Sequence, residues 1–99
     1  MLPEHVKIMD YEFEFDPSKN EANKAKHGIG FFEAQRFWTE RRVLVLTSAF
    51  EAEERWFGIT RYHDRYWTAD FTLREEKIRL ISVRRSRKNE IEFYKENSG

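Results

Sequence analysis

Phe13-Glu14-Phe15-Asp16-Pro17-Ser18-Lys19-Asn20-Glu21-Ala22-Asn23-Lys24-Ala25-Lys26-His27-Gly28 states the end of a strand and then a whole helix with its start and stop. Asp16 suits an N-cap, and Pro17 suits the first turn, where a backbone N–H has no intrahelical partner to lose. Gly28 suits the left-handed residue that closes a helix, so Lys26 and His27 fall in the last turn, where the carbonyl ends favour positive charge. Lys19, Asn23 and Lys26 share one face at helical spacing, and His27 lies four residues after Asn23. That face carries no apolar residue, so it is not expected simply to pack against a core.

Just before it, Tyr11-Glu12-Phe13-Glu14-Phe15 alternates ring and carboxylate, the period-2 pattern of a strand with one buried face. After Gly28-Ile29-Gly30, Phe31, Ala34, Phe37 and Trp38 recur at helical spacing and predict a second amphipathic helix over Phe31 to Glu40. Val43 to Leu46 reads as a strand, and Thr47 to Glu54 as an acidic connection. Arg55 to Tyr62 and Tyr66 to Leu73 flank His63-Asp64-Arg65 as a hairpin, with Lys77 to Arg84 following the turn Arg74-Glu75-Glu76. Ser86 is placed to cap a last helix from about Arg87 to Glu96, whose apolar side is offered by Ile91 and Tyr94. The order strand, helix, helix, four strands, helix predicts an α+β domain: an antiparallel sheet carrying two N-terminal helices and one C-terminal helix.

The chain has 99 residues, enough for a single domain over 1–99 with a small core, so a tight partner would add usefully to its stability. Charged residues make up 36% and aromatic residues 16%, and that many rings is inconsistent with a disordered chain. There is no cysteine, which excludes a disulfide framework and a thiolate metal site and is compatible with a cytoplasmic home. His5, His27 and His63 lack compact ligand spacing with carboxylates, so neither metal nor cofactor is expected. Residues 1–9 lack the apolar run of a secretory signal or membrane span.

The net charge of zero conceals an uneven distribution. Residues 1–60 hold 8 Lys and Arg against 11 Asp and Glu, while residues 61–99 hold 10 against 7. Arg79, Arg84, Arg85, Arg87 and Lys88 fall within ten positions that include no acid, a stretch suited either to a polyanion or to a solvated face balanced by Glu90, Glu92 and Glu96. Trp56 and Trp67 are candidates for base stacking, although strand tryptophans in a small domain more often fill the core.

Taken together, Phe13-Glu14-Phe15-Asp16-Pro17, Lys19, Asn23, Lys26-His27-Gly28, Phe31-Phe32-Glu33-Ala34, Glu53-Glu54-Arg55 with Gly58, Thr72 with Arg74, Ile78-Arg79-Leu80-Ile81-Ser82-Val83-Arg84, and Glu90 with Tyr94 resemble the BrnT family of toxins. The resemblance runs in order from about Asp10 to Glu96; residues 1–8 precede the usual family start, so the resemblance implies that 1–9 is a flexible leader and that Met9 is an ordinary initiator. It implies a RelE-like fold, ribonuclease activity that blocks translation, and a BrnA-like antitoxin of ribbon-helix-helix type through which alone operator DNA is reached. Departures occur at Thr39-Glu40, Val83 and Ser86-Arg87, where the family more often has Asp-Pro, alanine and Ala-Thr.

Metal-independent RNA cleavage activates a 2′-hydroxyl, stabilises a phosphorane-like transition state and protonates the leaving oxygen. With the resemblance, the residues expected to supply the base, the cations and the acid are Lys26, His27, Glu54, Arg55, Arg79, Arg84 and Tyr94, with Lys19, Asn23, Arg85 and Lys88 expected to contact RNA. His27 serves equally well as a helix-end or polar core residue, and Glu54 and Arg55 as partners of charges on a neighbouring strand. Tyr94 suits a packed ring of the last helix. Strict alternation puts Arg79 and Arg84 on opposite faces of their strand, so a bulge or a strand end is needed before both can meet one phosphate. The alternative function is a catalytically impaired module of the same fold, acting as corepressor with its antitoxin.

Overall fold

In the computed structural model, which describes residues 12–41, 43–47, 55–75 and 77–97, the ring and carboxylate alternation becomes strand β1 (Glu12–Glu14). Helix α1 (Pro17–His27) follows, then two short helices α2 (Phe31–Ala34) and α3 (Arg36–Glu40). Strands β2 (Leu44–Thr47), β3 (Trp56–Tyr62), β4 (Arg65–Arg74) and β5 (Lys77–Arg85) come next, and helix α4 (Lys88–Asn97) closes the order. The leader 1–9, Tyr11, Glu76 and positions 48–54, with Glu53 and Glu54, lie outside the described residues.

The five strands form one sheet in the order β1-β5-β4-β3-β2. The sheet is mixed, which corrects the expectation of a wholly antiparallel one. β2, β3, β4 and β5 pair antiparallel in succession, whereas β1 joins the outer edge of β5 in parallel. Opposite charges occupy paired positions along that seam: Glu12 faces Lys77 at 3.7 Å and Glu14 faces Arg79 at 3.4 Å. Cross-strand pairs of opposite sign favour this register over a slipped one.

One face of the sheet carries the core. Phe31, Ala34, Phe37 and Trp38 from α2 and α3 are buried against Trp56, Tyr62, Trp67, Ala69 and Phe71. Trp38 meets Phe71 edge-on at 5.4 Å, and Phe37 meets Tyr62 at 5.2 Å, arrangements in which the positive ring edge faces a negative ring face. Trp56 and Trp67 are thus core residues and not stacking platforms. Gly58 leaves room for this packing, since a Cβ there would stand 2.9 Å from Val43 Cγ1 and 3.2 Å from Trp38. The second helix of the sequence reading is interrupted at Gln35, where the Trp38 N–H donates to the Gln35 carbonyl three residues back. That tightened turn keeps Phe31, Ala34, Phe37 and Trp38 all on the core.

A bulge in β5 decides what the other face displays. Asp70 pairs with Ser82 but Phe71 pairs with Leu80, so Ile81 is an extra residue. The extra residue reverses the alternation beyond it. Ile78, Leu80 and Val83 therefore all point to the core, while Arg79, Ser82 and Arg84 all point away, opposite Thr72, Asp70 and Thr68 of β4.

The β3–β4 connection is a two-residue hairpin, His63-Asp64, with φ of 52° and 60°. Both residues sit in the left-handed region, which costs an ordinary side chain roughly 1–2 kcal/mol and suits asparagine and glycine better. Exchanging the pair for Asn-Gly (His63→Asn with Asp64→Gly) is expected to add about 1 kcal/mol, after loss of an exposed ion pair with Arg61. The melting temperature should then rise by roughly 4–8 °C. An unchanged or lower value in a thermal scan would show that this turn is unstrained.

Candidate functional site

Helix α1 is capped as its sequence predicts. Asp16 accepts from the Ser18 N–H at 2.9 Å and the Ser18 hydroxyl at 2.7 Å, bonds that hold its carboxyl below the ordinary value. Gly28 closes the helix at φ 83°. Within the polar face between these caps, Asn23 turns inward. Asn23 is buried at 7% exposure; its Nδ2 donates to the carbonyls of Ile29 and Val83, both at 2.8 Å, and its Oδ1 accepts from the Val83 N–H at 3.1 Å.

The reason lies at the sheet edge. β1 covers β5 only from Lys77 to Arg79, so further along β5 the outward N–H and C=O of Val83 have no strand to pair with. Asn23 supplies one donor group and one acceptor, as a neighbouring peptide unit would, and closes the edge. An RNA-contacting role for Asn23 is corrected accordingly, because its whole amide is committed inside the fold. One turn earlier, Asn20 Oδ1 accepts from Phe31 N at 2.7 Å and Phe32 N at 3.3 Å, capping α2 where Gly30 has no side chain to do so. Lys19 and Lys26 remain exposed on either side of Asn23, and His27 is half-buried in the last turn.

The face of the sheet away from the core holds three of the expected cations. Arg79 lies 3.4 Å from Glu14, and both side chains are 34% exposed. Arg55, just before β3, reaches Asp70 at 3.4 Å through Nη1, while its buried Nε has no hydrogen-bond partner among the described residues. Arg84 is held more firmly: Nη1 and Nη2 donate to the two carboxylate oxygens of Glu90 at 2.8 and 2.9 Å. Each of these guanidiniums has five donors, so Arg55 and Arg79 keep directions available to an anion that Arg84 has largely committed.

Glu90 is the hub of this corner. Besides Arg84 it accepts from the Thr68 hydroxyl at 3.1 Å and from the Arg87 N–H at 2.7 Å, the latter forming half of a capping box for α4. Burial pushes the Glu90 carboxyl up, but Arg84, the Arg87 amide and Thr68 outweigh it and hold the group below its ordinary value. The same hydrogen bonds raise the Arg84 guanidinium against the opposing effect of burial. Ser86 does not cap α4 through its side chain; its hydroxyl pairs with that of Thr68 at 2.8 Å.

Two expected contacts fall elsewhere. Arg85 is paired with Trp67 and lies over its ring at 5.6 Å, on the opposite side of the sheet from Arg79 and Arg84. It therefore does not share a surface with them. Tyr94, one turn beyond Glu90, packs edge-on to Tyr66 at 5.8 Å. Lys88 is exposed in the first turn of α4. The polar face of β4 that ties this region together, Thr68, Asp70 and Thr72, was open to sequence reasoning: the three alternate with Trp67, Ala69, Phe71 and Leu73. Among the described residues no helix is long and apolar enough to cross a membrane.

Residues 15–90, about three quarters of the chain, match the profile of a family described as the ribonuclease toxin, BrnT, of type II toxin-antitoxin systems. No curated protein matches the chain.

Proposed function

The chain belongs to the BrnT family of ribonuclease toxins of type II toxin-antitoxin systems, and from that premise we propose that it is an endoribonuclease that degrades RNA and so inhibits translation. The observation that carries this reading is the β5 bulge at Ile81, which gathers Arg79, Ser82 and Arg84 on one face with Arg55 across β4. Arg79 and Arg55 neutralise the scissile phosphate as charge builds in the transition state, exchanging their 3.4 Å contacts with Glu14 and Asp70 for shorter ones to phosphate oxygens. Arg84, gripped by Glu90, positions the chain at the start of α4.

Cleavage uses the 2′-hydroxyl of RNA as nucleophile and requires no metal. Lys26, His27 and Glu54 are the groups from which the base and the acid are drawn, Lys19 and Lys88 extend the cationic surface, and Tyr94, packed on Tyr66, is left to contact a base rather than to transfer a proton. The overall arrangement is RelE-like, and the toxin works in the cytoplasm. A BrnA-like ribbon-helix-helix antitoxin neutralises it and carries the pair to operator DNA.

Expression of the chain alone should arrest growth and fragment cellular RNA, and Arg79→Ala should relieve both, lowering cleavage about 100-fold as loss of one preorganised cation commonly does. Intact RNA in arrested cells would sink the proposal. One observation favours a second reading, a module that serves only as corepressor: Arg55, Arg79 and Arg84 each already face a carboxylate. Growth without arrest in the absence of the antitoxin selects that reading.

A further inference from the structure

At the tip of the β3–β4 hairpin, Arg41, Arg61, His63 and Asp64 line a cavity of about 360 Å³ whose remaining wall is Tyr94. These residues come from the end of α3, from β3, from the turn and from α4. Two guanidiniums and an imidazole face one carboxylate, Asp64, which is 92% exposed and 3.1 Å from Arg61. The cavity is cationic even with that pair formed. Tyr66 supports it from below, since its ring lies under the Arg61 guanidinium at 5.9 Å, under Lys95 at 5.8 Å and against Tyr94 at 5.8 Å. Arg61 is thereby held by packing on that ring.

The register puts this cavity on the same face as the proposed cleavage site. Arg61 pairs with Tyr66, which shares a face of β4 with Thr68, Asp70 and Thr72, and Thr72 pairs with Arg79. Six residues of strand separate Tyr66 from Thr72, roughly 20 Å at the usual rise, a span of several nucleotides. We infer that the cavity is a second phosphate subsite for single-stranded RNA, seating a backbone phosphate between Arg41 and Arg61 with an adjacent base against Tyr94. Aromatic rings interleaved with guanidiniums suit a nucleic-acid strand, whose bases stack, better than an acidic protein segment, which would use the charges alone. The inference rests on the reading of the chain as an RNA-cleaving protein.

The test uses a 12-nucleotide RNA with 2′-O-methyl riboses, which binds without being cleaved, titrated by fluorescence anisotropy over a range of salt concentrations. Arg41→Ala with Arg61→Ala should raise Kd about tenfold and lower the salt slope by about one, and Asp64→Asn should tighten binding a few-fold. Thermal melting of each variant, matched to the parent chain, separates loss of binding from loss of fold. Unchanged affinity and slope in the double variant, with binding weakened by Arg79→Ala, would overturn the subsite and leave the RNA site standing. Failure of the parent chain to bind the oligonucleotide would overturn both. Retained RNA affinity with loss of antitoxin affinity would give the cavity to an acidic protein segment and overturn the inference.

Discussion

Asn23→Ala is expected to remove about 3 kcal/mol of folding stability, although it replaces one polar side chain on a helix that looks entirely hydrophilic. The substitution deletes three hydrogen bonds and leaves the Val83 N–H, the Val83 carbonyl and the Ile29 carbonyl without partners at a buried edge. Each such group costs about 1–3 kcal/mol when orphaned, and water entering at the edge of β5 recovers part of the sum. Against a total of about 5–15 kcal/mol for a small domain this is a large fraction. The melting temperature should fall by roughly 12–24 °C. Asn23→Asp should be about as damaging, since a carboxylate still accepts from Val83 N–H but turns an oxygen toward two carbonyls. Lys19→Ala and Lys26→Ala, on the exposed flanks of the same face, should each change stability by less than about 0.5 kcal/mol. Urea unfolding of the four variants measures the contrast, and an Asn23→Ala protein as stable as the lysine variants would remove Asn23 from the sheet edge.

Glu90→Gln is expected to cost about 2 kcal/mol near neutral pH and much less in acid. The Arg84 and Glu90 side chains are 21% and 13% exposed, so the loss is smaller than the ~3–5 kcal/mol typical of breaking a fully buried pair. The amide keeps the shape but turns a donor toward Arg84 and gives up the charge that holds Arg84, Thr68 and the Arg87 amide together. Because the Glu90 carboxyl titrates below its ordinary 4.5 in the folded protein, its contribution is complete above that value. It fades as pH falls from there through the depressed folded value. The stability curves of the parent and the variant should run parallel above about pH 5 and converge as the pH falls through the depressed folded value. A gap that stays constant over this range would assign the loss to shape rather than charge.

The elements of this fold that depend on near neighbours were readable in the chain. Asp16-Pro17 and Gly28 bound α1, ring alternation marks β3 and β4, and Phe31, Ala34, Phe37 and Trp38 mark the helical stretch that covers them. What escaped depends on partners far away in sequence. The polar row of α1 suggested a ligand face because nothing local reveals that Asn23 meets Val83, sixty residues on. Nor does Leu80-Ile81-Ser82-Val83 contain a glycine or proline to announce a bulge; the extra residue exists because Ile78, Leu80 and Val83 must all reach the core. That displacement decides the site, since it turns Arg79 and Arg84 from opposite faces to a common one. It also sends Arg85 to the other side, beside Trp67. The parallel pairing of β1 with β5 escaped for the same reason: it joins the two ends of the chain through matched charges.

The most direct measurement of the central claim is cleavage of a defined RNA by the purified chain in EDTA, beside the same sequence with a 2′-deoxyribose at the cleaved position. Arg79→Ala supplies the control at the sheet face. The account predicts that the RNA is cut to products ending in a 2′,3′-cyclic phosphate, that the deoxy substrate stays whole, and that the variant cuts about 100-fold more slowly. RNA left intact by the parent chain in EDTA, or cut equally well by Arg79→Ala, would contradict it.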